Sequence, residues 1–169
     1  MIRSHRLVAA TLGLLAAMAP STALAQRYVP AGTFDVASGM TGGGGREASL
    51  VRAPTRLRLG AELHVDEAPE NALGFGVLLD LEPRARVGAD LRYTRVVLRH
   101  FALSAGAIGY ITPGTMLGPT ARLEVRQPLG KSLWLTAGPE VNVFVVGIDV
   151  PDKTVIWQTL LHLGLRVDL

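Results

Sequence analysis

The sequence predicts an all-β protein, a single antiparallel up-and-down β-barrel of eight strands preceded by a cleaved signal peptide. Three observations carry this: apolar residues alternate with polar ones along most of the chain, turn-forming residues separate the alternating segments, and the chain opens on a basic and then apolar leader.

The leader comes first. Met1 to Arg6 is short and basic, Leu7 to Ala19 is apolar, and Ala23-Leu24-Ala25 is a small-x-small site before Gln26. That order marks a secretory signal peptide cleaved after Ala25. Its apolar run falls short of the roughly 20 residues a membrane-spanning helix needs. The remainder divides into an N-terminal segment, 26–54, with a first strand and a Gly-rich loop, and the barrel strands proper, 55–169.

The mature chain is 144 residues, enough for one domain. Losing Arg3 and Arg6 leaves 15 basic against 14 acidic residues, so the net charge is about +1 and gives no footprint for nucleic acid. There is no cysteine, which excludes disulfides and thiolate ligands. Apolar residues are abundant, yet the longest run after the leader, Val143 to Ile148, is far too short for a membrane helix. The hydrophobicity is dispersed, and the manner of dispersal is informative.

In Arg56 to Asp66 every odd position is apolar and every even one is charged, His or Gly. A period of two puts the apolar side chains on one face of an extended strand, whereas a helix would scatter the charges around its circumference. The pattern recurs at 73–82, 85–94, 117–126, 133–145 and 155–169. Residues 100–111 are small or apolar on both faces and read as a strand from length and position. These make seven strands between 55 and 169. An eighth is expected at Thr33 to Met40, followed by Gly42–Gly45 as a loop; no GK[ST] follows that would make a phosphate cradle. Turn chemistry marks 67–71, 82–84, 113–114, 127–130 and 149–153.

The make-up of the two faces bears on what surrounds the barrel. The polar face mixes Gly, Thr and Ser with seven arginines (56, 58, 86, 92, 122, 126, 166) and eight acids (Glu62, Asp66, Asp80, Glu82, Asp90, Glu124, Glu140, Asp168). A narrow interior needs small residues where large ones cross it, and near-equal charges so that each buried ion is paired. The apolar face is Leu, Val and Ala in rows of about nine to eleven residues, the length a tilted strand needs to cross the hydrocarbon. Eight strands enclose a space that side chains just fill. The expectation is therefore a plugged, ion-paired lumen, with Arg92, Arg122, Glu124 and Glu140, all mid-strand, as its structural network.

The chain end His162-Leu-Gly164-Leu-Arg-Val167-Asp-Leu169 resembles the terminal assembly signal of bacterial outer-membrane barrels, in which polar, Gly and two apolar positions recur at this spacing. That family usually ends on Phe, where this chain has Leu169. The strand rhythm resembles small eight-stranded barrels of the OmpA/OmpX type across nearly the whole mature chain. The resemblance implies location in the bacterial outer membrane, contact with outer-membrane lipid, and reading of His162, Gly164, Val167 and Leu169 by the barrel-insertion machinery. It also implies a monomer. An even strand count puts both chain ends on the periplasmic side, with the connections at 41–54, 82–84, 112–116 and 147–154 facing outward.

The chain carries no HExxH, no GxSxG and no pair of His at ligand spacing, so no catalytic residue, cofactor or metal site is expected. His64 and His162 fall on the polar face as hydrogen-bonding partners. His100 and Ser104 share a face but lie some 13 Å apart by strand rise, too far for the His–Ser couple of lipid A-modifying barrel enzymes. The reading is a non-enzymatic outer-membrane barrel with a structural or envelope-associated role. The alternatives are a soluble exported lipocalin-like barrel with the Leu/Val face inward around an apolar ligand and, third, the lipid A-modifying enzyme. The direction in which strand 56–66 turns its leucines separates the first two.

Overall fold

A computed structural model describes residues 28–44, 49–82, 85–150 and 154–169. The signal peptide and its cleavage site lie outside the described residues. Strands are β1 (Tyr28–Gly44), β2 (Ser49–Arg52), β3 (Arg56–Val65), β4 (Ala68–Asp80), β5 (Arg86–Leu98), β6 (Phe101–Thr112), β7 (Met116–Pro128), β8 (Leu133–Phe144) and β9 (Val155–Asp168). β1 pairs antiparallel with both β2 and β3, β3 to β9 pair antiparallel in chain order, and β1 also pairs with β9, so β1 and β3–β9 close into an eight-stranded barrel. Closure satisfies the backbone without leaving an open edge around the wall.

The hydrogen-bonded register can be followed once around the wall. It runs Ala31, Glu62, Gly74, Arg92, Gly106, Thr120, Asn142, Gln158 and returns to β1 at Thr41. One circuit thus advances ten residues along β1, and that stagger tilts the strands across the barrel axis. The start of β1 and the end of β9 share one end of the barrel, where Leu169 N–H donates to the Pro30 carbonyl, with the turns at 66–67, 99–100 and 129–132. We call this the terminal end and the other the loop end.

Alternation decides which side chains face in. On β3, Arg58 is 5% exposed while its neighbour Leu59 is 68% exposed. The same holds on β4, where Leu73, Phe75, Val77 and Leu79 face out and Gly74, Gly76, Leu78 and Asp80 face in. The segment at 100–111, ambiguous by composition, is β6: Ala102, Ser104, Ile108 and Tyr110 are buried, and Phe101, Leu103, Ala105 and Ala107 are exposed. A lipocalin-like barrel requires the reverse arrangement, with its leucines inside, and this chain does not have it.

The structure corrects three boundaries. The Gly42–Gly45 run was expected as a loop, but Gly42, Gly43 and Gly44 continue β1 and pair with Trp157, Ile156 and Val155 of β9. The Trp157 ring lies over Gly42 and covers backbone that would otherwise be bare. The turn expected at 67–71 is only Asp66-Glu67; Val65 pairs with Ala68 and His64 with Ala72, so Pro69, Glu70 and Asn71 bulge out of the ladder. The first strand, expected at 33–40, is longer at both ends, and its Met40–Gly43 segment pairs with the additional short strand β2 on one side and with β9 on the other.

Candidate functional site

Among the described residues, the lumen is where this fold gathers its buried charged side chains. Six arginines (56, 58, 92, 122, 126, 166) and six carboxylates (Asp35, Glu62, Asp80, Asp90, Glu124, Glu140) are buried there, so their formal charges cancel. Isolated buried ions are prohibitive, and the arrangement pairs every one of them.

Most pairs cross the barrel. Arg122 on β7 reaches Asp35 on β1 with two parallel bonds, Nη2 to Oδ1 at 2.8 Å and Nη1 to Oδ2 at 3.1 Å. This fork-to-fork geometry is the strongest form of the interaction. Arg56 on β3 donates to Asp80 at 3.1 Å, to Glu140 on β8 at 2.8 Å and to Gln158 on β9 at 2.6 Å. Glu140 also accepts from Arg92 on β5 at 3.0 Å and from Asn142 at 3.0 Å. Arg58 binds Asp90 at 2.9 Å and Thr33 at 2.8 Å. Towards the terminal end, Glu62 accepts from Arg126 at 3.3 Å and Arg166 at 3.1 Å, while Glu124 accepts from Arg126 at 2.6 Å.

The glycines on the same face make this geometry possible. A Cβ at Gly76 would stand 2.8 Å from Arg58 Nε, and one at Gly164 would collide with the Asp35 carboxylate. Small residues lie where the long ones cross.

Of the four residues expected to form the network, all are buried. Arg92 and Glu140 bond directly. Arg122 and Glu124 are 3.5 Å apart at their nearest charged atoms, and each makes its shorter contact elsewhere, with Asp35 and Arg126. The mid-strand criterion left out Asp35, Arg56, Arg58, Glu62, Asp80, Asp90, Arg126 and Arg166. Asp35 had a visible signal, as it alternates with Phe34 and Val36 on the first strand. Four members of the polar-face set stand apart from the buried lumen: Asp66 and Glu82 are exposed, Arg86 is half-buried at the rim of the loop end and Asp168 half-buried at the terminal end, since each sits where its strand leaves the wall.

Histidines serve this lattice. His64 Nδ1–H donates to the Pro69 carbonyl at 3.0 Å, which leaves Nε2 to accept from Arg166 at 2.9 Å. His162 lies against Arg122 Nε at 3.0 Å. The structure does not bring His100 and Ser104 together: His100 bonds to the Arg126 carbonyl at 3.0 Å, and Ser104 to Thr94 at 2.9 Å. The terminal residues Gly164 and Val167 lie in β9 opposite Asp35 and Gly32 of β1, so this segment forms the closing seam.

The loop end is filled differently. Leu78, Ile108, Tyr110, Met116 and Phe144 form a buried apolar cluster, with Val150 and Ile156 against it. Tyr110 joins the two regions: its ring lies 5.7 Å from that of Phe144 and 5.6 Å from the Arg56 guanidinium carbon, and its hydroxyl donates to Asp80 at 2.9 Å. The apolar cluster was not expected from the sequence, because its members are single apolar residues scattered over four strands.

No protein-family model matches the chain, and no curated protein matches it in sequence. A solved structure does match in three dimensions. The crystal structure of Neisserial surface protein A superposes with a TM-score of 0.52 at 14% identity, over 83% of this chain and 97% of that one. At that identity the likeness is one of fold: this chain shares the closed antiparallel barrel architecture of a bacterial surface protein.

Proposed function

We propose that the protein is a non-enzymatic outer-membrane barrel with a plugged lumen and a structural or envelope-associated role. One observation carries the reading: the molecule is inverted relative to a water-soluble protein. Six arginines and six carboxylates are buried, while Leu59, Val77, Leu161 and Leu163 are 57–70% exposed in a continuous apolar wall. Contiguous apolar surface on this scale marks a membrane-facing protein. A closed sheet is one of the two backbone arrangements that can span hydrocarbon.

Outer-membrane lipid is then the partner of the wall, and the His162–Leu169 segment is what the insertion machinery reads. The terminal end faces the periplasm. Cross-lumen ion pairs and the apolar cluster occupy the lumen, which supports a barrel that does not conduct. The chain acts as a monomer and binds no nucleic acid.

Fractionation tests this directly. The protein should sediment with outer membrane and run faster on a gel before boiling than after it. Recovery as a soluble periplasmic protein defeats the membrane reading, and steady single-channel currents in planar bilayers defeat the plug.

A further inference from the structure

The outer wall carries a cation of its own. From Asn71 to Leu79 on β4, Val87 to Val97 on β5 and Phe101 to Ile111 on β6, Arg95 is the only charged side chain that faces out. Its neighbour Thr94 is buried, so strand alternation puts Arg95 on the opposite face from the lumen network. Among the described residues Arg95 makes no hydrogen bond or ion pair, unlike the six lumen arginines. Glu67 and Glu70, exposed at the adjoining turn and bulge, do not bond to it. Its outward neighbours Leu73, Tyr93, Val97, Phe101 and Leu103 carry no charge.

Val87 and Arg95 are eight residues apart on β5. That is about 20 Å of height at a strand tilt of roughly 40°. Arg95 therefore stands towards the terminal-end edge of an apolar band about 25 Å tall. Near such an edge a long cationic side chain lays its stem along apolar surface and carries its head to the headgroups. Asn71 on β4 is the register partner of Arg95. Directly opposed residues bring their Cβ atoms to about 5 Å. The Tyr93 hydroxyl donates to Asn71 Oδ1 at 2.7 Å, which fixes the way the amide points. The Asn71 amide nitrogen, with two N–H donors, has no partner among the described residues. Tyr93 lies two residues nearer the loop end than Arg95, so its hydroxyl is directed towards the terminal-end edge. That is the posture of an aromatic side chain at a membrane–water interface.

We propose that Arg95 and Asn71 together seat the phosphodiester of one phospholipid in the periplasmic leaflet. This rests on the membrane reading above. The guanidinium offers a planar fork that suits two phosphate oxygens. The Asn71 N–H donates to the same group, and Tyr93 holds the amide in the orientation that allows it. Leu73 and Leu103, on the loop-end side of this seat, meet the start of the acyl chains. Both binding groups are donors and neither offers an acceptor to an ammonium. The seat therefore reads the phosphodiester that phospholipids share and is indifferent to the headgroup beyond it.

The test uses the full mature chain, with arginine isotopically labelled at Cζ, in bilayers of phosphatidylcholine and, separately, of phosphatidylglycerol. Solid-state NMR reads the dephasing of Cζ by lipid phosphorus, since a guanidinium bonded to phosphate holds Cζ about 4 Å from phosphorus. Comparison with Arg95→Gln isolates Arg95, because the other arginines contribute alike to both samples. Wild type should show one more arginine in phosphate contact than Arg95→Gln, in both lipids. Tyr93→Phe and Asn71→Leu should each lower the bound-to-free ratio of Arg95 about fivefold. Equal dephasing in wild type and Arg95→Gln, contact in phosphatidylglycerol alone, or indifference to both Tyr93→Phe and Asn71→Leu overturns the proposal. Gel mobility of the same samples keeps the two readings apart: an inserted, heat-modifiable barrel without this contact sinks only the site, whereas failure to insert sinks the membrane reading.

Discussion

Towards the terminal end the lumen is filled by ions that find one another across the barrel, whereas towards the loop end Leu78, Ile108, Tyr110, Met116 and Phe144 fill it by apolar packing, with one polar tie from the Tyr110 hydroxyl to Asp80. The two fillings obey different rules. An ion pair is directional and costly to desolvate, so it tolerates no missing partner. An apolar cluster is non-directional and tolerates changes that keep its volume. They also depend on each other. The apolar cluster keeps water from the Arg56–Asp80–Glu140 group, and in that drier environment each hydrogen bond is stronger and each unpaired group more costly.

The contrast can be broken by substitution, and the largest effect is expected where one ion loses its partner. Arg122→Met leaves Asp35 buried without its bidentate partner and should cost about 3–5 kcal/mol in denaturant unfolding from lipid. The double replacement Asp35→Leu with Arg122→Met should recover most of that loss. A single variant no less stable than wild type would show that the pair contributes nothing. Next comes the outside of the wall: Leu59→Arg puts a charge on the apolar outer face and, on the proposed membrane reading, should cost about 2–4 kcal/mol near the bilayer midplane. In a water-soluble barrel the same change would be near neutral, so this variant also tests the inversion itself. Gly164→Ala should cost about 1–3 kcal/mol by overpacking, since its methyl group meets the Asp35 carboxylate; unchanged stability would mean that the network has slack. The smallest effect belongs to the apolar cluster, where Ile108→Val should cost about 1 kcal/mol. A loss there as large as that of Arg122→Met would erase the distinction between the two ends.

How far the sequence disclosed this differs between wall and lumen. The alternation in Arg56–Asp66 alone assigns every side chain of β3 to a face, because strand geometry leaves no other choice. The same rhythm marks most of the strands, whereas 100–111 was legible only from its length and position. Pairing across the lumen is another matter. That Arg122 meets Asp35, 87 positions earlier, depends on the ten-residue stagger of the whole sheet, which no local pattern encodes. Mid-strand position was therefore an incomplete guide: Arg92, Arg122, Glu124 and Glu140 are all buried and paired, but it left out Asp35. The glycine strand escaped because its stability comes from the Trp157 ring on the neighbouring strand, whereas the residues themselves have turn propensity.

The cross-lumen pairs bear on how such a barrel comes together. Asp35 sits on the first strand, Arg166 and Gln158 on the last, and their partners on strands between them. A hairpin forming alone can complete Arg56–Asp80, but it has no access to Glu140 or Gln158. Until β1 meets β9, most of these charges must keep their hydration. Joining the seam and expelling water from the lumen are thus one event, and a partly zipped sheet has little reason to persist.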